Sequence, residues 1–429
     1  MINVEEYLNN FYRGTKNPSL KAMKYFLKKF NNFEKNMKFI HIAGTNGKGS
    51  CAEIIANILM NQGYKVGKFM SPHLIRYNER ITVNRKEISD QEMADIIEEL
   101  QPLIEEYNKN EEFKITLFEL ETIMGLLYFY RNNAQFVILE TGLGGLYDCT
   151  NIITKPIVSI ITSIGYDHMR ILGNTLEEIA YQKAGIIKPN SNTVIFEQEP
   201  EVDEVFIKEC KQKNNNLHIV KKSDIQNYNY DDNFQYFDYK DLKNLELNLK
   251  GKMQVRNASI CLETIRILNE CGYKVDIESI REALKTVVHR GRMEQLNINP
   301  TIIFDGAHNE PATRNLLEMV NMYYKNRKRT YIISILARKD YRKMLDILSG
   351  DKNASFIMTS GNESDKFVPS DELYEYMKKY ADTKKITKKD LGTAIEDIMK
   401  YNDDTICFCI GSFYTYGNVL KKINKIKEK

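Results

Sequence analysis

The stretch Phe39–Ser50, FIHIAGTNGKGS, decides how the rest of the chain is read. Phe39, Ile40, His41 and Ile42 read as a buried strand, Ala43 and Gly44 open a turn, and the residues that follow enter a helical pattern. A glycine-rich turn between a strand and a helix start gathers backbone N–H groups around one point. The helix dipole adds partial positive charge there, and a lysine adds a full one. Gly44, Thr45, Asn46, Gly47, Lys48, Gly49 and Ser50 therefore predict a cradle for the phosphates of ATP, with Lys48 reaching the β and γ phosphates and a hydroxyl near Mg²⁺. The strict spacing G-x-x-x-x-G-K-[ST] is not met, because Gly49 follows Lys48 and displaces the hydroxyl to Ser50. A purely structural turn is the bland alternative. Strand, lysine and helix in register favour the phosphate reading.

Working outward, 429 residues exceed the usual single-domain size, so two domains are expected. Apolar residues make up 42% and charged residues 28%, as in an ordinary globular protein. Lys+Arg is 61 against Asp+Glu 58, and this near-balance argues against a dedicated nucleic-acid protein. The start, MINVEEYLNNFYR, reads as an acidic amphipathic helix without the basic and apolar regions of a signal peptide, and no apolar run is long enough to span a bilayer. The seven cysteines are scattered without metal or redox spacings, which suits free thiols in a reducing cytosol. A cytoplasmic protein with no membrane or nucleic-acid partner is the expectation.

Around the opening stretch, strands and helices alternate. Strands are expected at 39–43, 65–70, 135–139, 157–162 and 193–196, with helices after the glycine turn and at about 90–107, 117–132 and 174–186. That rhythm predicts a mainly parallel sheet with helices on both faces, whose site lies at the carboxyl ends of the strands. Ser71, Glu140 and the pair Asp167/His168 each follow a predicted strand, as the glycine turn does. Residues 222–250 lose the pattern and read as a small antiparallel appendage or a loose edge. Helices at about 254–270 and 277–288 follow. The rhythm restarts beyond Asn297–Pro300, so residues 1–296 are expected to form an ATP-binding catalytic domain. With 297–300 as linker, 301–429 then form a smaller Rossmann-like α/β domain ending in a basic helix.

Several stretches in this order are similar to the Mur ligase superfamily, and as a set to its folylpolyglutamate synthase and dihydrofolate synthase branch. They are GTNGKGS at 44–50, Ser71-Pro-His-Leu74, Asn78-Glu-Arg-Ile81, Leu139-Glu-Thr-Gly-Leu-Gly-Gly145, Asp148-Cys-Thr-Asn151 and Asp167-His168. Further matches are Glu178–Ile187, Gly291-Arg-Met-Glu294, Asp305-Gly-Ala-His-Asn309 and Gly411-Ser412. The resemblance covers almost the whole chain. It implies an ATP-dependent amide ligase and a C-terminal glutamate-ligase domain. In that chemistry a carboxylate attacks the γ-phosphate to give an acyl phosphate, and the amine of L-glutamate then displaces phosphate. Reduced folates, and with them dihydropteroate, are the implied acceptors. By the same resemblance Ser71 and Glu140 hold one Mg²⁺, Glu140 and His168 a second, and Lys183 is carbamylated, turning a cation into an anionic ligand. Lys48, His168 and Lys183 are then the catalytic residues. Asn257, Arg292, Asp305 and His308 take the nucleotide. Thr116, Leu117, Phe118, Tyr147, Asp148 and Cys149 surround the pterin, and a monomer is implied.

The chain departs from the family pattern in places. Leu146 stands where an arginine is usual, Cys149 replaces an alanine, Met253-Gln254 replaces His-Gln, Glu310 displaces the proline to Pro311, and Pro18–Ala22 differs from the usual Leu-Gly-Leu-Glu-Arg. The first and last of these changes lie on the acceptor side, Met253-Gln254 lies on the ATP side, and Lys48, Glu140, His168 and Lys183 stay in place. A related ligase acting on another carboxylate stays the alternative, and a kinase or a non-catalytic nucleotide-binding protein accounts for fewer of these residues.

Overall fold

The computed structural model describes residues 3–14, 19–361, 366–401 and 404–428, with the side chain of Lys384 left aside; Pro18 lies outside them. The chain divides into two compact units, Met1–Leu249 with Met253–Val287, and Lys250–Lys252 with Val288–Lys429.

In the first unit, helices α1 (Val4–Asn9) and α2 (Lys21–Lys29) precede strand β1 (Phe39–Ala43), helix α3 (Lys48–Asn61) and strand β2 (Val66–Phe69). A hairpin, β3 (Ile81–Val83) and β4 (Lys86–Glu87), leads to helices α4 (Asp90–Asn110) and α5 (Leu117–Arg131). Next come β5 (Phe136–Glu140), β6 (Val158–Ile161), α6 (Met169–Leu172), α7 (Leu176–Ala184), β7 (Asn192–Phe196), α8 (Pro200–Gln212) and β8 (Asn216–Val220). These strands form a sheet in the order β4-β3-β2-β5-β1-β6-β7-β8. It is parallel from β2 to β8 and antiparallel only where β3 and β4 are added at one edge.

Alternation along β1 and β5 explains why both faces are covered. Ile40, Ile42 and Ile138 join one apolar core with α3, whereas Phe39, Val137 and Leu139 join another with α4 and α5. All five residues of β1 are buried, as a central strand of a covered parallel sheet requires. α8 and β8 were not anticipated from the sequence. Residues 225–247 resolve as a three-stranded antiparallel sheet, β9 (Ile225–Tyr230), β10 (Gln235–Tyr239) and β11 (Leu242–Leu247), so the appendage reading holds rather than the loose edge. Its inward Phe237, Tyr239, Leu245 and Leu247 pack into the same core as helices α9 (Lys252–Glu270) and α10 (Ile277–Thr286).

The second unit contains β12 (Glu294–Asn297), β13 (Thr301–Asp305), α11 (Glu310–Tyr323), β14 (Lys328–Ile333), α12 (Tyr341–Leu348) and β15 (Ala354–Met358). It continues with α13 (Ser370–Met377), β16 (Ile386–Lys388), α14 (Leu391–Ile398), β17 (Thr405–Ile410) and α15 (Tyr416–Lys427). Its sheet order is β12-β13-β17-β14-β15-β16, parallel except for β12. Residues 297–300, expected as the linker, are instead the last residue of β12 and the turn that joins it to β13. Gln295 pairs with Ile303 and Asn297 with Ile302, so Asn297-Ile-Asn-Pro300 closes a hairpin and the division falls at Val287/Val288.

Candidate active site

In the first unit the glycine turn is built as expected and is braced from β6. Gly47 has φ +95° and stands at the N-cap of α3, which no side chain caps. A Cβ on Gly47 would lie 2.6 Å from Asn257 Oδ1, and one on Gly44 would lie 1.8 Å from Thr162 Oγ1. Only glycine fits either place. The Thr45 N–H donates to the Ser163 carbonyl (2.7 Å), its hydroxyl donates to the Gly165 carbonyl (3.1 Å), and the Ser163 hydroxyl donates to the Asn46 carbonyl (3.1 Å). Gly49 and the buried Ser50 lie in the first turn of α3.

Two lysines converge on one carbonyl of this turn. Lys48 Nζ donates to Gly44 O at 3.0 Å, and Lys183 Nζ, from the last turn of α7, donates to the same oxygen at 2.9 Å. Lys183 is 4% exposed. Burial first, and the charge of Lys48 after it, lower its pKa to about 7, with Asp167 and Asp148 opposing the shift. Near neutral pH much of Lys183 is thus an uncharged amine. Glu140, at the end of β5, is buried, with Oε1 4.0 Å from Lys48 Nζ and Oε2 3.4 Å from the Ser71 backbone N–H. Gly44, Lys48, Ser71, Glu140 and Lys183 are therefore one connected group, with Asn257 set against Gly47.

His168 has φ +51°, its N–H donates to Asp167 Oδ1 (2.8 Å), and its Nε2 lies 3.7 Å from the same oxygen. Among the described residues no group of three or more His, Cys, Asp and Glu converges. Mg²⁺ takes one or two carboxylates and completes its octahedron with phosphate and water oxygens, and Glu140 beside Ser71 fits that sparse donor set.

The residues expected around the pterin have divided roles. The Thr116 hydroxyl caps α5 and pairs with Glu119, while Leu117 is buried in the core, its N–H donating to Tyr12 O. Asp148 is buried, its carboxylate accepting from Leu143 N–H (2.8 Å), Thr150 N–H (3.0 Å) and the Thr150 hydroxyl (2.6 Å). The Thr150 hydroxyl in turn accepts from the buried His41 ring, whose pKa burial lowers to about 3, so His41 stays neutral. Burial pushes the Cys149 thiol up. Phe118 lies against Gly142, where a Cβ would be 2.6 Å from its Cζ, and Tyr147 is 51% exposed. Phe118 and Tyr147 are thus the members of the set that present aromatic faces.

In the second unit, Asp305 ends β13 and is buried. Its carboxylate accepts from Met293 N–H and Ala307 N–H, both at 2.9 Å. Burial raises its pKa, and the Arg292 guanidinium opposes this. Arg292 Cζ lies 4.6 Å from the centre of the Phe413 ring, and the His308 ring centre lies 5.8 Å from it. Nδ1 of His308 donates to Gly306 O at 2.8 Å. Arg292 and His308 thus lie beside Phe413, which the sequence reading passed over, and the Arg292 charge acts on Asp305. Glu121 was also missed. Its signal was a second carboxylate in the apolar run of α5, past Glu119, which closes the capping box with Thr116.

A family model of the Mur ligase middle domain matches residues 42–265, and one of the Mur ligase glutamate ligase domain matches residues 291–413. The chain is 32% identical over 419 residues to a dihydrofolate synthase/folylpolyglutamate synthase of Bacillus subtilis, covering 95% of each protein. It is 31% identical over 350 residues to a folylpolyglutamate synthase of Lacticaseibacillus casei, covering 80% of this chain and 81% of that one. The fold is similar to the crystal structure of a folylpolyglutamate synthase of Thermotoga maritima, with a TM-score of 0.83 at 29% identity, over 99% of this chain and 97% of that one. With the glycine turn, the paired lysines and Glu140 in one group, the chain belongs to the Mur ligases, in their folylpolyglutamate synthase/dihydrofolate synthase family.

Proposed function

We propose that this ATP-dependent folate ligase adds L-glutamate to the γ-carboxylate of reduced, glutamylated folates through an acyl phosphate. The convergence of Lys48 and Lys183 on Gly44 O, beside Glu140, carries this reading. A folate carboxylate oxygen attacks the γ-phosphorus and ADP leaves. The glutamate amine then attacks the acyl carbon, loses its proton, and phosphate departs. Negative charge accumulates where carboxylate meets triphosphate, so preorganised donors and cations act there. The N–H groups at the start of α3 bind the β and γ phosphates, and Lys48 turns from Gly44 O to the γ-phosphate. Ser71 and Glu140 would hold one Mg²⁺, and Glu140 and His168 a second, and such ions would supply positive charge to offset the negative charge of the triphosphate. Lys183, its pKa lowered to about 7, carries a free-amine fraction near neutral pH and is suited to take up CO₂ as a carbamate. Asn257, beside Gly47, and Arg292, Asp305 and His308 are the further nucleotide-binding residues of this reading, with the guanidinium fork of Arg292 suited to a phosphate. Phe118 and Tyr147 flank the pterin. A monomeric, cytoplasmic enzyme completes the reading; no helix among the described residues is long and apolar enough to cross a membrane.

A second activity, joining glutamate to dihydropteroate, is favoured by the combined name of the Bacillus subtilis relative, whereas the Lacticaseibacillus casei relative is named for folylpolyglutamate synthesis alone. Glutamate-dependent phosphate release, measured with tetrahydrofolate and with dihydropteroate separately, tests both. Release with each marks a bifunctional enzyme, release with tetrahydrofolate alone a monofunctional one, and release with neither sinks the proposal.

A further inference from the structure

The loop that follows β2 carries Ser71 and is closed from its far end by two consecutive side chains. Glu79 accepts the backbone N–H groups of Leu74, Ile75 and Arg76 at 2.8, 2.8 and 2.9 Å. Arg80 reaches back across the loop. Its Nε donates to His73 Nδ1 at 2.9 Å, its Nη1 donates to Glu121 Oε2 at 2.7 Å, and its carbonyl accepts from Met70 N–H at 2.9 Å. Glu121 is 2% exposed and lies in α5 among Leu117, Leu120, Ile123 and Met124. Burial raises its carboxyl to about 6 against the pull of Arg80. An ion pair in such a place gives little net stability, and apolar side chains of similar volume would serve packing as well or better. What apolar side chains would not supply is direction. The guanidinium fork fixes two partners at once, one on a rigid helix and one on the loop.

We infer that Arg80 and Glu121 are positioning residues, which anchor His73 to α5 and thereby hold the Ser71 turn against Glu140. The inference rests on the proposed role of Ser71 and Glu140 at the nucleotide's metal. Neither Arg80 nor Glu121 touches substrate in this account. They act through the loop, as outer partners of a metal site orient its ligands.

The test measures Mn²⁺·ATP affinity by electron paramagnetic resonance, with the thermal midpoint of each variant. The double variant Arg80→Met/Glu121→Leu removes both charges and keeps the volume; it is expected to hold its midpoint while losing roughly tenfold in affinity, the usual cost of an outer partner. Arg80→Lys keeps the charge beside Glu121 but lacks the fork, and is expected to lose affinity with the fold intact. Glu121→Gln retains an acceptor for Nη1 and should stay close to the unsubstituted protein. Glu140→Ala is the control. If it weakens Mn²⁺·ATP while the double variant and Arg80→Lys do not, the positioning role is overturned. If Glu140→Ala itself leaves the affinity unchanged, the metal reading of Glu140 fails, and the inference that rests on it falls for that separate reason.

Discussion

The chain uses the same local plan twice, a parallel strand, a short turn with glycine, and a helix, and finishes it in opposite ways. From β1 to α3 the turn is open: Gly47 stands at the N-cap, no side chain caps the helix, and two lysines are turned toward one carbonyl. From β13 to α11 the turn is closed on itself. Asp305 accepts two backbone N–H groups, and Asn309 Oδ1 accepts from Ala312 N–H at 3.0 Å. An uncapped helix start keeps N–H donors for an outside anion, whereas a capped one has spent them. The first turn therefore keeps donors open, as its proposed phosphate role requires, whereas the second spends them on its own loop beside Arg292, His308 and Phe413.

This contrast can be broken at several points. Lys48→Ala should cost roughly 10²–10³-fold or more in turnover, as loss of a charge-stabilising donor does, while the far-ultraviolet dichroism and thermal midpoint stay close to those of the parent. A near-normal rate would remove the phosphate role of the open turn. Gly47→Ala should raise the KM for ATP by roughly tenfold, because a left-handed backbone costs a side chain about 1–2 kcal/mol and the new Cβ meets Asn257. An unchanged KM would show that this close approach does not matter.

Lys183→Met should stop turnover yet stabilise the fold in a pH-dependent way. The folded-state pKa of about 7 lies below the unfolded value of about 10.4. The folded state therefore binds fewer protons between those values, and stability rises with pH across that window. The penalty is full below pH 7 and gone near pH 10.4. Removing the amine should thus raise the thermal midpoint most at pH 6 and hardly at pH 10, in CO₂-free buffer; a gain independent of pH would contradict a buried, depressed lysine. The smallest effect is expected in the closed turn, where Asn309→Ala should cost about 1 kcal/mol of stability, as the loss of an N-cap does. In urea unfolding this should appear as a lower midpoint with little change in KM.

Much of the site was legible because its signals are local. The strand of Phe39–Ile42, the glycines and Lys48 lie within a dozen residues, and the Asp-Gly-Ala-His-Asn run at 305–309 likewise declares a strand end and a helix start. The pairing of β12 with β13 was misread as a linker because Asn and Pro favour turns and linkers alike, and only the partner strand tells them apart. Thr116 and Asp148 show the same limit. A hydroxyl and a carboxylate near a substrate region look available in the sequence, and the fold engages both with neighbouring backbone N–H groups.

By itself the sequence determined the fold class, the order of motifs and the glycine turn proposed as the phosphate cradle, since periodicity, glycine placement and helix starts are set by residues close together along the chain. Only the tertiary structure decided that Lys183 joins Lys48 on the carbonyl of Gly44, which lies 139 residues before Lys183 in the chain. The same holds for burial lowering the pKa of Lys183 to about 7 and for Arg80 reaching Glu121 across the Ser71 loop. These contacts depend on distance and desolvation, which are properties of the packed sheet and helices. No stretch of the chain carries them alone.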